Sequence, residues 1–283
     1  MQDVQQTIAQ PASFQGVGLH SGEAVRVVLK PADENSGIRF RRVDLPDSPD
    51  IHLGPALLQR QNGVSRCTML GEGGASVQTV EHLLASFHCL GIDNILVEMD
   101  GQEVPGMDGS ALPVVETLLT AGIRGQNSQR EVLEIREDIC LEQNGMSISA
   151  SPADDLHISY ILDYPHPLMQ SETAFSVTRE TFIKEIAPSR TFCLRSEADA
   201  LRAAGLGKGA STANTLVMED DGPLENSLRF PDECARHKVL DLIGDLFVLG
   251  RPVRGRITAV RSGHKMNWQF VKHIWGEWYE RKV

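Results

Sequence analysis

Three short stretches carry residues whose types and spacing suit metal-assisted hydrolysis: Glu81-His82, His237-Lys238-Val239-Leu240-Asp241, and Ser262-Gly263-His264. Residues i and i+4 share one face of a helix, so His237 and Asp241 can hold one ion together, and Asp245 continues that polar face. With His82 they make two histidines and one carboxylate, three protein ligands that leave a fourth tetrahedral position for water. That open position marks a catalytic rather than a structural zinc. The bland reading has equal standing. A histidine and an aspartate four residues apart are common without metal, and a lone helical histidine such as His88, one turn from His82, more often packs or faces water. The helix motifs of zinc peptidases are absent, because Gln78 stands where HxxEH needs histidine. Spacing alone leaves both readings open.

What brings His82 to Asp241 is an internal repeat. A break falls near residues 124–130, where a helical pattern over 111–123, with Ser110 as its N-cap, ends at Gly125. The polar stretch QNSQR follows, and a fresh strand pattern starts at Glu131. Each side of this break opens with a strand, a turn and a second strand. The turns are GLHSG (18–22) and QNGM (143–146), the latter with the Asn-Gly of a hairpin. Both second strands run into Pro-Ala-Asp, at 31–33 and 152–154, and a further strand pattern follows each, over 38–45 and 157–164. Then each side has a helical segment closed by Leu-Gly, and a last strand. His82 lies nine residues before Gly91, and Asp241 nine before Gly250. The expected fold class is α+β: two similar domains, 1–126 and 127–283, each a sheet layered against helices, with the helices meeting at the interface. Pro31 to Gly91 spans 60 residues and Pro152 to Gly250 spans 98, so the second half carries an insertion of roughly 38 residues within 190–228.

Composition narrows the function. Of 283 residues, 41% are hydrophobic and 23% charged, as in an ordinary globular protein with a sizeable core. Thirty-eight acidic against 27 basic residues give a net charge of −11, the wrong balance for a diffuse nucleic-acid binder. No apolar run is long enough to span a bilayer, and no secretion signal opens the chain, so a cytoplasmic protein is expected. Five cysteines without a CxxC pair read as reduced thiols. GLGKGAS is not a phosphate loop, since Arg202 and Gly209 stand where glycine and Ser/Thr are required. GVGLHSG precedes a strand and so is not a dinucleotide fingerprint. The C-terminal WQFVKHIWGEWYERKV reads as an amphipathic helix whose aromatics pack inward.

The ordered blocks GVGLHSG (16–22), TVEHLLASFHCLGIDNILVEMDG (79–101), MDGSA (107–111), SRTF (189–192), GLGKG (205–209), RHKVLDLIGDLFVLG (236–250) and SGH (262–264) closely resemble the zinc-dependent UDP-3-O-acyl-N-acetylglucosamine deacetylases of lipid A synthesis, the LpxC family. The resemblance runs nearly the full length. Departures are local, at Gly106 and at Ala187-Pro188, and touch pocket walls rather than the chemical set.

The resemblance implies a two-domain fold with the active site between domains and Zn²⁺ on His82, His237 and Asp241. It makes Glu81 the general base and His264 the general acid, and puts Lys238, Thr191 and Asp245 at active-site positions. The substrate is then a UDP-linked acylated amino sugar, with Tyr164 near the uridine, Arg261 available to the diphosphate and Phe192 as a further substrate-binding residue. The insertion, about 193–220 and including Gly209, would line the acyl chain. Tyr164 as strand packing and Arg261 as a solvated surface charge stay open as alternatives. Fe²⁺ also suits a His₂Asp set. The protein is expected to act as a monomer, with no nucleic-acid partner. The competing functions are a zinc amidohydrolase for another N-acetylated sugar and a non-catalytic sugar-nucleotide binder, against which an intact Glu81 and His264 argue.

Overall fold

A computed structural model describes residues 4–58, 66–72 and 74–280. Strands with alternating apolar residues bury one face: Val25, Val27 and Leu29 in Ala24–Pro31, and Leu156, Ile158, Tyr160 and Leu162 in Leu156–Asp163. This period of two sets each sheet against helices.

The first sheet runs in space Ala12–Val17, Ala24–Pro31, Ile95–Met99, Ile38–Arg42, Asp50–His52. The second runs Ile139–Gln143, Met146–Ser151, Val253–Val260, Leu156–Asp163, Gln170–Ser176, with Leu133–Glu134 added beside Val253. The two paths match strand for strand. In each, the strand that follows the helix enters the middle, antiparallel to the second hairpin strand and parallel to the third. The duplicated unit read from the sequence is therefore present, and the fold is α+β.

Among the described residues six α-helices join the sheets: α1 (Glu81–Leu90), α2 (Leu112–Ala121), the single turn α3 (Arg179–Thr181), α4 (Arg195–Ala203), α5 (Glu233–Leu246) and α6 (His264–Glu280). The Leu-Gly closures are real C-terminal stops. Gly91 and Gly250 take left-handed φ values of 81° and 68°, a conformation glycine adopts without the Cβ clash other residues meet. The repeat-equivalent helices α1 and α5 pack on each other, and α5 also lies on the Leu156–Asp163 strand. Every residue from Val239 to Leu246 is buried, as befits a helix covered on all sides. A Cβ on Gly244 would sit 2.0 Å from the Glu81 carbonyl oxygen, so α5 meets the start of α1 backbone to backbone there.

Each half interrupts its path before this helix. The first does so with the hairpin Met69–Glu72 and Ala75–Gln78. The second uses α4 with a small sheet of Phe192–Leu194, Leu216–Glu219 and Gly222–Pro223. Three local expectations differ from the structure. The helix expected over 111–123 ends at Ala121, and Gly122 rather than Gly125 is its C-cap. Ser110 stands one residue before the N-cap, although its hydroxyl still accepts the Leu112 N–H at 3.3 Å. The polar stretch after it is no linker: Ile123–Gln129 is a strand antiparallel to Val4–Ile8. Pairing across the whole length of the first half satisfies its backbone, which a polar local sequence cannot announce. α6 buries Trp268 and Phe270 as expected, while the side chains of Trp278 and Tyr279 lie outside the described residues.

Candidate active site

The α1–α5 crossing brings the metal-ligand candidates together. His82 Nε2 and His237 Nε2 stand 3.5 and 3.4 Å from the same oxygen, Asp241 Oδ1, and one ligand atom from each of the three residues lies within 4.8 Å of the others. Zinc bonds of about 2.0–2.2 Å at tetrahedral angles put neighbouring ligand atoms about 3.3–3.6 Å apart, so the observed spacing fits an ion of that size. The His237 ring has the right tautomer too. Its Nδ1 is 3.0 Å from the Ser189 carbonyl, which can only accept, so the proton is on Nδ1 and the Nε2 lone pair faces the cluster. Lys238 Nζ donates to the other Asp241 oxygen at 2.6 Å, leaving Oδ1 to the histidines. Burial opposes ionisation of Asp241, but the Lys238 charge beside it holds it well below the usual carboxylate range.

Beside this trio stands an acid–base pair. Glu81 opens α1, and its Oε2 accepts the Thr68 N–H at 2.9 Å. Burial pushes its carboxyl up, and the charges of Asp241 and Asp245 add to that effect. His264 opens α6 with Nε2 3.9 Å from Glu81 Oε1. Its Nδ1 donates to Asp245 Oδ2 at 2.8 Å. Burial by itself would depress the imidazole, but the Asp245 charge and hydrogen bond outweigh it and raise the pKa to about 9. Asp245 is wholly buried and fully engaged: Asn267 Nδ2 donates at 2.8 Å, Trp268 Nε1 lies at 3.4 Å, and the Thr68 hydroxyl donates to Oδ1. Contact with Asp245 thus favours the cationic imidazole of His264.

Glu81, His82, His237, Lys238, Asp241 and His264 line a cavity of about 340 Å³, whereas Asp245 and its partners Thr68, Asn267 and Trp268 do not. Thr191 is part of its wall, fixed by its N–H on the Gly109 carbonyl at 2.8 Å. Phe192 lies edge-on to the His237 ring at 6.1 Å, and Tyr164 edge-on to Phe192 at 5.9 Å. Tyr164 and Arg261 both face the cavity, with Arg261 Nη1 3.6 Å from Asp163. From the insertion, Cys193, Glu197, Leu201, Gly207 and Ala210 reach it. Gly209 does not. Its N–H binds the Leu19 carbonyl at 3.1 Å, and a Cβ there would meet the Gly18 carbonyl oxygen at 2.3 Å. It supports the wall from behind. His88 also stands apart, half-buried against Phe247, and desolvation lowers its pKa to about 3.

Several contributors carried no sequence signal. Thr68 binds both Glu81 and Asp245, and Trp268, expected only to pack, donates to Thr68 at 3.1 Å. Tyr160 donates its hydroxyl to the Ser262 carbonyl and anchors the turn before His264. Glu103 holds the GLHSG turn through the His20 and Ser21 amides at 2.8 and 2.7 Å, which aims His20 at the cavity. Arg66 joins the same wall. These roles depend on contacts between residues far apart in the chain, which no local pattern encodes.

A sequence model of the family described as UDP-3-O-acyl N-acetylglycosamine deacetylase matches residues 5–276. The chain is 43% identical over 272 residues to the UDP-3-O-acyl-N-acetylglucosamine deacetylase of Nitratidesulfovibrio vulgaris, covering 95% of this chain and 87% of the relative. It is 41% identical over 272 residues to the enzyme of the same name from Myxococcus xanthus, covering 95% and 86%. The Chromobacterium violaceum enzyme is 37% identical over 275 residues, covering 96% and 90%.

Proposed function

The chain belongs to the UDP-3-O-acyl N-acetylglycosamine deacetylase family, and from that premise we propose that it hydrolyses the N-acetyl group of UDP-3-O-acyl-N-acetylglucosamine in lipid A biosynthesis, with Zn²⁺ on His82, His237 and Asp241. The products are acetate and the free amine. The observation that carries the reading is the convergence of two histidines, one carboxylate and a separate carboxylate–imidazole pair on one cavity.

A zinc ion supplies a Lewis acid that lowers the pKa of water to about 7 and polarises the amide carbonyl. The protein's own groups move the protons. Glu81, fixed by the Thr68 N–H, takes a proton from the attacking water. Thr191 and Lys238 face the cavity where negative charge grows on the carbonyl oxygen, and fixed donors there stabilise it. An amine leaves poorly unless protonated, and His264, kept charged by Asp245, donates the proton. Tyr164 and Arg261 hold the sugar nucleotide, Phe192 contacts the substrate, and the insertion receives the acyl chain. The halves 1–126 and 127–283 act as two domains, and the working protein is a cytoplasmic monomer. Among the described residues no helix is long and apolar enough to cross a membrane.

The test is acetate release from UDP-3-O-acyl-N-acetylglucosamine before and after chelation. Release should stop with the chelator and return with added Zn²⁺. Release that ignores the chelator would reject the metal, and no release from the zinc-loaded protein would reject the substrate.

A further inference from the structure

On the insertion side of the cavity Leu19, Leu201 and Ala210 give an apolar wall beside the polar side chains of His20 and Thr215, and an ion pair stands at one place. There Arg66 Nη2 meets Glu197 Oε1 at 2.8 Å, with the two side chains 27% and 30% exposed. The pair is well held. Glu197 Oε2 also accepts the Leu194 N–H at 3.2 Å at the start of α4, and Arg66 Nε is shut away from water, with no hydrogen-bond partner among the described residues. Arg66 comes from the first half and Glu197 from the insertion of the second, so the pair ties together two walls that are not otherwise continuous in the chain.

We infer that the Arg66–Glu197 pair is a polar stop that limits the length of acyl chain the enzyme accepts. The inference rests on the reading that the insertion receives the acyl chain. Methylenes laid against Leu19, Leu201 and Ala210 lose contact with water and bind better. A methylene pushed over the ion pair strips water from two half-exposed charges and offers no hydrogen bond in return. The benefit of lengthening therefore ends at the pair.

The experiment measures kcat/KM for the zinc-loaded protein over substrates that differ only in acyl length. In the unaltered enzyme kcat/KM should rise by up to about fourfold per added methylene, then level or fall. The double variant Arg66→Met/Glu197→Gln removes the charges and keeps an acceptor for the Leu194 N–H. Its rise should continue through at least two further methylenes, so the ratio of long-chain to short-chain kcat/KM increases by tenfold or more. Arg66→Lys keeps the cation and should keep the limit. Zinc content and thermal midpoint report folding, and Arg66→Leu/Glu197→Gln is the second variant should the first fail to fold. An unchanged limit in a folded double variant overturns the inference, as does a Lys variant that shifts as far as the double variant. Indifference of the unaltered enzyme to chain length would instead overturn the acyl-passage reading, and this inference with it.

Discussion

α1 starts at Glu81, whereas α5 starts at Glu233, seven residues before Leu240, the position equivalent to Glu81 in the repeat. Those extra residues are about two helical turns, and they carry His237 and Lys238. The strand paths of the two halves match, and so do the left-handed glycines that stop their helices. The chemistry lies in the mismatches. Glu81 corresponds to buried Leu240, His82 to Asp241, and Ser86 to Asp245. A symmetric pair of helices would offer two copies of one weak ligand set. Extending one helix and changing single positions yields the three proposed ligands, the proposed base and a carboxylate hydrogen-bonded to the proposed acid.

The harshest break removes what the longer helix contributes. The double variant His237→Ala/Asp241→Ala should lose its zinc, from about one equivalent per chain to a trace, with activity at background. Metal analysis of the purified protein checks this. Stoichiometric zinc in the folded variant would place the ion elsewhere.

Next in size is the proton-transfer pair. Glu81→Gln and His264→Ala should each lower kcat by about 10²–10⁴-fold while zinc stays bound, since neither is a ligand. The pH profile separates them. His264 is raised from 6.5 to about 9, so its proton is present below that value and activity falls as pH rises through it. The same sign holds for stability: the charged imidazole's contribution is whole below 6.5 and is lost as pH rises through about 9. Asp245→Asn removes the charge responsible, so the basic limb should move to lower pH. A basic limb unmoved by both His264→Ala and Asp245→Asn would transfer the acid role to Lys238.

The clustering of His82, His237 and Asp241 was legible in the sequence because helical spacing and the Leu-Gly register are local signals, and His237 with Asp241 needs only one helix to be read. The hairpins, the third strands and the position of the insertion were legible for the same reason. What escaped is relational. Ile123–Gln129 forms a strand only because Val4–Ile8 pairs with it, Thr68 matters only because it meets both Glu81 and Asp245, and Gly209 turns its back to the cavity because the Gly18 backbone fills the space beside it.

Gly244 tests the crossing itself, at an intermediate effect. Its repeat equivalent is Ala85, which is buried with its methyl accommodated, whereas a methyl on residue 244 would overlap the Glu81 carbonyl. Gly244→Ala should therefore push the helices apart at a cost of about 1–3 kcal/mol. Denaturant unfolding measures the loss. Because the displaced atom belongs to Glu81, kcat should fall as well, more steeply than KM changes. A stable Gly244→Ala variant with full turnover would mean that the two backbones need not be so close.

The smallest expected effect sharpens the comparison most, because it concerns the equivalents Ser86 and Asp245. Both are wholly buried on the paired helices, but Ser86 turns its hydroxyl back to the His82 carbonyl at 2.8 Å, while Asp245 reaches out to His264. A hydroxyl bonded four residues back contributes little to a helix, and alanine has the higher helix propensity. The carbonyl of His82 remains an acceptor in the helix after the change, so no buried polar group is orphaned. Ser86→Ala should then alter stability by less than about 1 kcal/mol and leave both limbs of the pH profile in place. Titration of kcat/KM beside Asp245→Asn makes the contrast direct: one position moves the basic limb and its structural counterpart does not. A basic limb displaced by Ser86→Ala would show that α1 tunes the acid as well, through His82, and that the two helices divide the electrostatics less cleanly than their hydrogen bonds do.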